Sequence, residues 1–292
     1  MSKNEKINAY RGSLLIPGGK VGVLLVHSLG GNPIELRFVA QGLARQGYTV
    51  YCPLVPGLGG GTDPSGLSSW QDWYQAIEEA HDELKAHCDV VVVGGLSAGS
   101  VLALRLARER ADDVHGLVLF APTMKPNGWA IPLRFNLFRL VRHKWIASLM
   151  RFKQRAPYGI KDERIRNFVI DSFKSEGRPL EDLFSRGGGL VWEFMSLARD
   201  VKRRLGEISQ QAVVFHPRHD DQSDISNAFK LQRKLAGPVD VTVLDDSYHM
   251  VTLDRQRSVV VDRTVEFVVR LTQRLEEKAA VSRFLKGNGV AE

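Results

Sequence analysis

A serine framed by glycines, Gly95-Leu96-Ser97-Ala98-Gly99, stands between a valine run at 90–93 and the apolar-periodic stretch Val101-Leu102-Ala103-Leu104-Arg105-Leu106-Ala107. Small residues two before and two after the serine are what a sharp strand-to-helix turn demands, because any larger side chain there would collide across the turn. Such a turn lifts the hydroxyl clear of a sheet. The helix that follows aims unpaired backbone N–H groups and the positive end of its dipole at the same spot. The chemistry implied is nucleophilic attack beside an anion-stabilising site. A serine hydroxyl is a weak nucleophile at neutral pH, so it needs a base, and the base needs a carboxylate to orient it.

The segment Asp245-Asp246-Ser247-Tyr248-His249-Met250 follows the last strand-like run and precedes the last helix-like one, which makes His249 the expected base. The acid is expected after the preceding strand, in Pro217-Arg218-His219-Asp220-Asp221-Gln222-Ser223-Asp224. Asp220 is nearest the strand end, Asp221 is the alternative, and Asp224 reads as the cap of a helix starting at Ile225. The N–H groups of Ala98 and Leu29 are the expected oxyanion donors, Leu29 because it lies in the loop after the first core strand, His27-Ser28-Leu29-Gly30-Gly31. Gly30 and Gly31 are expected to keep that loop open to a ligand. His27, Ser28, Gly30, Leu58, Trp129 and Met250 are expected to border the substrate, with His27 acting chiefly by ordering its own loop. His216 and His219 flank Asp220, but no third ligand has suitable spacing, so neither a metal nor a cofactor is expected.

The elements that must position these residues alternate strand and helix, the pattern of a doubly wound, mostly parallel α/β sheet covered on both faces. Strands are expected at 21–27, 49–53, 90–96, 116–120, 212–216 and 239–244. Helices are expected at 35–46, at 69–87 opened by Ser69, after Ser97, at 225–235 and at 255–275. Residues after about 278 read as a loosely held tail. Between 123 and 206 the alternation stops, and Gly187-Gly188-Gly189 interrupts aromatic and basic stretches that show no convincing strand. This region is expected to be a helical cap, 123–206, inserted into a core made of 1–122 and 207–292. Within it, 133–149 reads as one amphipathic helix with Phe138, Val141, Trp145 and Leu149 on a single side. It reads first as a cap helix with a solvated basic face, and second as a lid that contacts a membrane surface.

The 292 residues are 43% hydrophobic and 25% charged, ordinary for a globular protein. The net charge of +7 comes without a nucleic-acid-binding motif, so nucleic acid is not an expected partner. The charge is local: between Lys125 and Arg155 there are eight Lys or Arg and no Asp or Glu. Two cysteines, Cys52 and Cys88, make no disulfide framework or metal spacing. With a polar N-terminus and only short apolar runs, the expectation is a cytoplasmic protein.

The pieces Leu24-Leu25-Val26-His27, Gly95-Leu96-Ser97-Ala98-Gly99, Arg218-His219-Asp220 and Ser247-Tyr248-His249-Met250-Val251-Thr252-Leu253-Asp254 resemble the α/β-hydrolase superfamily, in particular small bacterial carboxylesterases and monoacylglycerol lipases. The resemblance places Ser97, Asp220 and His249 at the family's triad positions and Leu29 and Ala98 at its oxyanion positions. It implies a cofactor-free hydrolase that cleaves small esters with an apolar acyl group through an acyl-enzyme. Two departures stand out: Ser28 replaces a usual glycine, and Leu58 replaces the histidine of a Gly-His-Gly segment. A thioesterase or acyltransferase would use the same triad, and a non-catalytic binding protein of this fold would be expected to have lost one of its members.

Overall fold

The computed structural model describes residues 12–59, 68–133, 135–175 and 185–287. In chain order these form β1 (Leu14–Ile16), β2 (Val21–Val26), α1 (Arg37–Ala44), β3 (Thr49–Cys52), α2 (Trp70–His87), β4 (Val90–Leu96), α3 (Ala98–Glu109) and β5 (Gly116–Phe120). The chain then leaves the sheet through α4 (Phe135–Phe138), α5 (Lys144–Ser148), β6 (Arg151–Lys153), α6 (Glu163–Ser175), β7 (Ser185–Gly187) and α7 (Gly188–Arg203). It returns through β8 (Gln211–Pro217), α8 (Ser226–Lys234), β9 (Val239–Leu244) and α9 (Arg257–Gly287).

Seven strands form one sheet in the order β1-β3-β2-β4-β5-β8-β9, parallel throughout except for the antiparallel edge pair β1 and β3. Side chains of a strand alternate between faces, so a sheet covered on both sides needs continuous apolar runs. The valine run of β4 meets this need. Val91 and Val93 join Trp73 and Ile77 of α2 and Val101 of α3 on one face, while Val92 joins Val39 of α1 and Phe267 of α9 on the other. Each fully buried side chain of this size contributes about 1.5 to 3 kcal/mol. The strand order reverses direction between β2 and β4, and a crevice opens at such a switch point beyond the carboxyl ends of the strands. The segments carrying Leu29, Ser97, Asp220 and His249 leave β2, β4, β8 and β9 at that edge.

The excursion between β5 and β8 departs from the sequence reading in two ways. It contains a short antiparallel ribbon, β6 with β7, and the expected helix over 133–149 is two short helices instead. The ring of Phe138 packs on that of Phe152 at 4.8 Å and Phe135 on Phe152 at 5.2 Å, so the aromatic residues fold inward around β6. Trp145 and Leu149, expected on the same side as Phe138, are 68% and 79% exposed. The glycine triplet also has a different use. A Cβ on Gly188 would lie 2.0 Å from the Ala147 carbonyl oxygen, so glycine lets the start of α7 press against α5. A further difference is at the far end, where α9 runs to Gly287; its side chains from 276 to 284 are exposed and so give no apolar period to read. Among the described residues, no helix is long and apolar enough to cross a membrane.

Helix α2 carries the packing of Trp73 and Ile77, and its start is fixed by a capping box in which the Ser69 side chain accepts from Asp72 N while Asp72 accepts from Ser69 N. Ser69→Ala is expected to lower unfolding free energy by about 1 kcal/mol in urea denaturation.

Candidate active site

The turn after β4 holds Ser97 at φ 57°, ψ −110°, a left-handed conformation that costs a non-glycine residue of order 1 to 3 kcal/mol. Neighbouring contacts fix it. Ser97 N donates to the Phe120 carbonyl at 2.8 Å, and Ser100 Oγ donates to the Gly95 carbonyl at 2.6 Å. A Cβ on Gly95 would sit 2.5 Å from the Val26 carbonyl oxygen, and one on Gly99 would sit 2.1 Å from the same atom. The two glycines therefore allow the first turn of α3 to rest on the end of β2. The Ser97 hydroxyl meets Thr123 Oγ1 at 3.1 Å, while Thr123 itself donates to the Ala121 carbonyl. Thr123 carries no motif signal; only the pairing of β4 with β5 brings it here.

His249 is buried, and its Nδ1 donates to both Asp220 oxygens, at 2.9 and 3.1 Å. That bond assigns the hydrogen to Nδ1 and leaves Nε2 as the basic nitrogen. Burial opposes the imidazolium, but the Asp220 charge and hydrogen bond, with Asp221 and Glu35 behind them, outweigh it and raise the His249 pKa above the usual 6.5. Asp220 also accepts from Gln222 N at 2.7 Å and Ser223 N at 2.9 Å, so backbone donors hold the carboxylate square to the ring.

Asp221 does something else. Its two oxygens accept from His249 N at 3.3 Å and Gly159 N at 2.8 Å, tying three loops together through backbone. Burial raises the pKa of its carboxyl. Met250 N donates to the Gly159 carbonyl at 2.8 Å, completing that stitch. Asp254, fully buried, accepts from the backbone of Tyr248, Lys161 and Asp162, and so anchors the histidine loop to the segment leading into α6.

The loop after β2 is built around groups that the sequence reading did not assign. Ser28 donates from both N and Oγ to Glu35, at 3.0 and 3.1 Å. Arg186, from β7, donates through Nε to the Leu29 carbonyl at 3.0 Å and its charge acts on Glu35. A Cβ on Gly30 would lie 2.3 Å from Arg186 Nε, and one on Gly31 would lie 2.1 Å from Glu35 Oε1. The space beside these glycines is thus filled by an ion-bearing pair rather than left open. Gly30, at φ +71°, donates from N to the Leu58 carbonyl at 2.7 Å. The Leu58 side chain lies in the core with Trp73, so Leu58 serves this loop through its backbone.

His27 is fully buried, with Nδ1 donating to the Ser28 carbonyl at 2.9 Å and Nε2 accepting from Val55 N at 3.1 Å. Burial lowers its pKa to about 4. Trp129 is exposed, packs edge-on against Tyr248 at 5.7 Å and donates from Nε1 to the His219 carbonyl, which places it across the loops of Asp220 and His249. His216 donates from Nε2 to the Ser223 carbonyl at 2.7 Å and so braces the acid loop. Cys52 and Cys88 are free and buried.

A family model described as the alpha/beta hydrolase family matches residues 23–263. The chain is 26% identical over 253 residues to a thermostable monoacylglycerol lipase of Bacillus sp. (strain H-257), covering 86% of this chain and 92% of that protein. It is 23% identical over 256 residues to a carboxylesterase of Bacillus subtilis (strain 168), covering 87% and 94%. Among solved structures, a monoacylglycerol lipase from Paleococcus ferrophilus superposes with a TM-score of 0.70 at 17% identity, covering 89% of this chain and 98% of that one.

The two histidines should titrate in opposite directions. His27, lowered, stays neutral in the fold while the unfolded chain takes up a proton. Its contribution to stability is complete above pH 6.5 and is lost as pH falls toward 4. His249, raised, contributes stability below pH 6.5 that is lost as pH rises through its folded pKa. Imidazole ¹⁵N spectra across pH 4 to 8 should show His27 as the neutral Nδ1-protonated tautomer down to pH 5 and His249 protonating above 6.5.

Proposed function

Because this chain belongs to the alpha/beta hydrolase family, we propose that it cleaves carboxylic esters of small molecules through a Ser97-His249-Asp220 triad and an acyl-enzyme. The observation that carries this reading is the doubly bonded His249–Asp220 pair at the same sheet edge as a serine held at positive φ.

Ser97 Oγ leaves its bond to Thr123, passes its proton to His249 Nε2 and attacks the ester carbonyl. The negative oxygen that forms is received by the N–H groups of Leu29 and Ala98, each worth about 2.7 to 4 kcal/mol in sites of this kind. Asp220 stabilises the imidazolium without taking its proton. His249 then protonates the departing alcohol, and water activated by His249 releases the acid and restores Ser97. Arg186 and Glu35 act as positioning residues: one fixes the Leu29 carbonyl and the other the Ser28 N–H, so the peptides on either side of the Leu29 N–H are both held. The similarity to a monoacylglycerol lipase and a carboxylesterase supports an apolar acyl group and a small alcohol as the substrate class.

Ser97→Ala is expected to abolish hydrolysis of p-nitrophenyl butyrate and labelling by a fluorophosphonate; labelling retained at another serine would overturn the assignment. Asp220→Asn should lower kcat by about 10⁴ by imposing the wrong tautomer on His249. Asp221→Asn, which touches only backbone donors, should cost far less in kcat than Asp220→Asn. Since the base must be neutral, kcat/KM should fall as pH drops through a value above 6.5, and Asp220→Asn should move that inflection downward.

A further inference from the structure

The basic stretch singled out in the sequence is not absorbed by the ester-cleaving site. Two of its cations, Lys125 and Arg139, border a cavity of about 370 Å³ between α4, α7 and the loop after β5, and α7 contributes Arg199 and Lys202. The wall is otherwise largely apolar, with Phe138, Val141, Trp192 and Met195, and contains no Asp or Glu. Ser97, Asp220 and His249 are not part of it. A cavity of this volume is within the range of small-molecule sites.

Arg199 is turned to the Met195 carbonyl and the Ser196 hydroxyl, while the other cations face one another instead of carboxylates. Lys202 lies against Lys230 of α8 and feels Arg139 and Lys125; burial first, then these like charges, lower its pKa. None of these five residues forms an ion pair among the described residues, although ion pairs are frequent elsewhere on this surface. Asp224 feels Lys125 but is committed to Ser226. Gathering like charges without counter-charges opposes folding. A group that neutralised them would convert this cost into binding energy, because hydrogen bonds to ionised partners are the stronger ones.

We propose that this cavity is a second ligand site, separate from Ser97, that takes an anionic amphiphile: its phosphate or carboxylate head lies among Lys125, Arg139, Lys202 and Lys230, and its hydrocarbon lies against Phe138, Trp192 and Met195.

Calorimetric titration of the whole protein with decyl phosphate, decanoate and 1-decanol, each below its aggregation limit, tests this, with inorganic phosphate as the head group alone. Decyl phosphate or decanoate should bind at least about tenfold more tightly than decanol, and the tighter of the two identifies the head group. Lys202→Met and, independently, Arg139→Gln should each weaken the anion about fivefold or more and leave decanol unchanged. Both variants should unfold at temperatures no lower than the parent, since each removes repulsion. Equal affinity for all three decyl compounds would overturn the proposal, as would unchanged binding in both variants. So would loss of binding once Ser97 is blocked by a fluorophosphonate, which would place the amphiphile in the ester site. Because binding is read directly, failure of ester hydrolysis in Ser97→Ala has no bearing on this outcome.

Discussion

The contact between the first turn of α3 and the end of β2 governs the rest of the site. Two glycines stand where any Cβ would come within about 2.5 Å of the Val26 carbonyl oxygen, so the helix can start directly over the neighbouring strand. That proximity sets the first turn of α3 against the Val26 and His27 carbonyls, and it does so at the point where the strand order reverses. The same closeness forces Ser97 into left-handed backbone. Its strain is held by the Ser97 N bond to Phe120 and by Ser100 reaching back to Gly95. A serine held in strained backbone needs a rigid frame, and the buried valines of β4 with the buried apolar residues of α3 provide it.

Adjacent aspartates then divide the work of holding the base. Asp220 faces the imidazole with both oxygens, whereas Asp221 faces only backbone N–H groups. One sets the tautomer of His249 and raises its pKa; the other sets where the main chain of His249 can be. The loop after β2 follows the same logic with different chemistry. Glu35 binds Ser28, Arg186 binds the Leu29 carbonyl, and their mutual attraction closes the arrangement from opposite sides. Ser28 is therefore a tether to Glu35, through both its N–H and its hydroxyl.

What the sequence made legible was whatever depended on local pattern. The valine run gave β4, the glycine spacing gave the elbow, the capping residues gave α2, and order along the chain picked out Asp220 and His249. Thr123 and Arg186 were not legible, because each acts across a separation that only strand pairing or the folded excursion closes, and Glu35, though only seven residues from Ser28, sits in no recognisable motif. Leu58 shows the limit of reading roles from residue type: its side chain is core, and its carbonyl is the part the site uses. The helix expected over 133–149 failed for a related reason. Helical spacing of Phe138, Val141, Trp145 and Leu149 was real, but ring packing of Phe135 and Phe138 on Phe152 rewards an inward fold more than a continuous apolar stripe would.

The excursion between β5 and β8 is accordingly more than a cover. Through Arg186 it grips the Leu29 loop, through Gly159 it grips the Asp221 and His249 loops, and through the Lys161 and Asp162 backbone it grips Asp254. Three loops are thus fastened to one segment, and any displacement of that segment is felt at Leu29, Asp221 and His249 together; under the proposed ester chemistry, that is at the anion donors and the base. Its cationic cavity lies against the residue after Thr123, the residue that holds the Ser97 hydroxyl. A fold that keeps uncompensated charge so near its most tightly constrained loop has a physical reason to be more stable with that charge answered than without it.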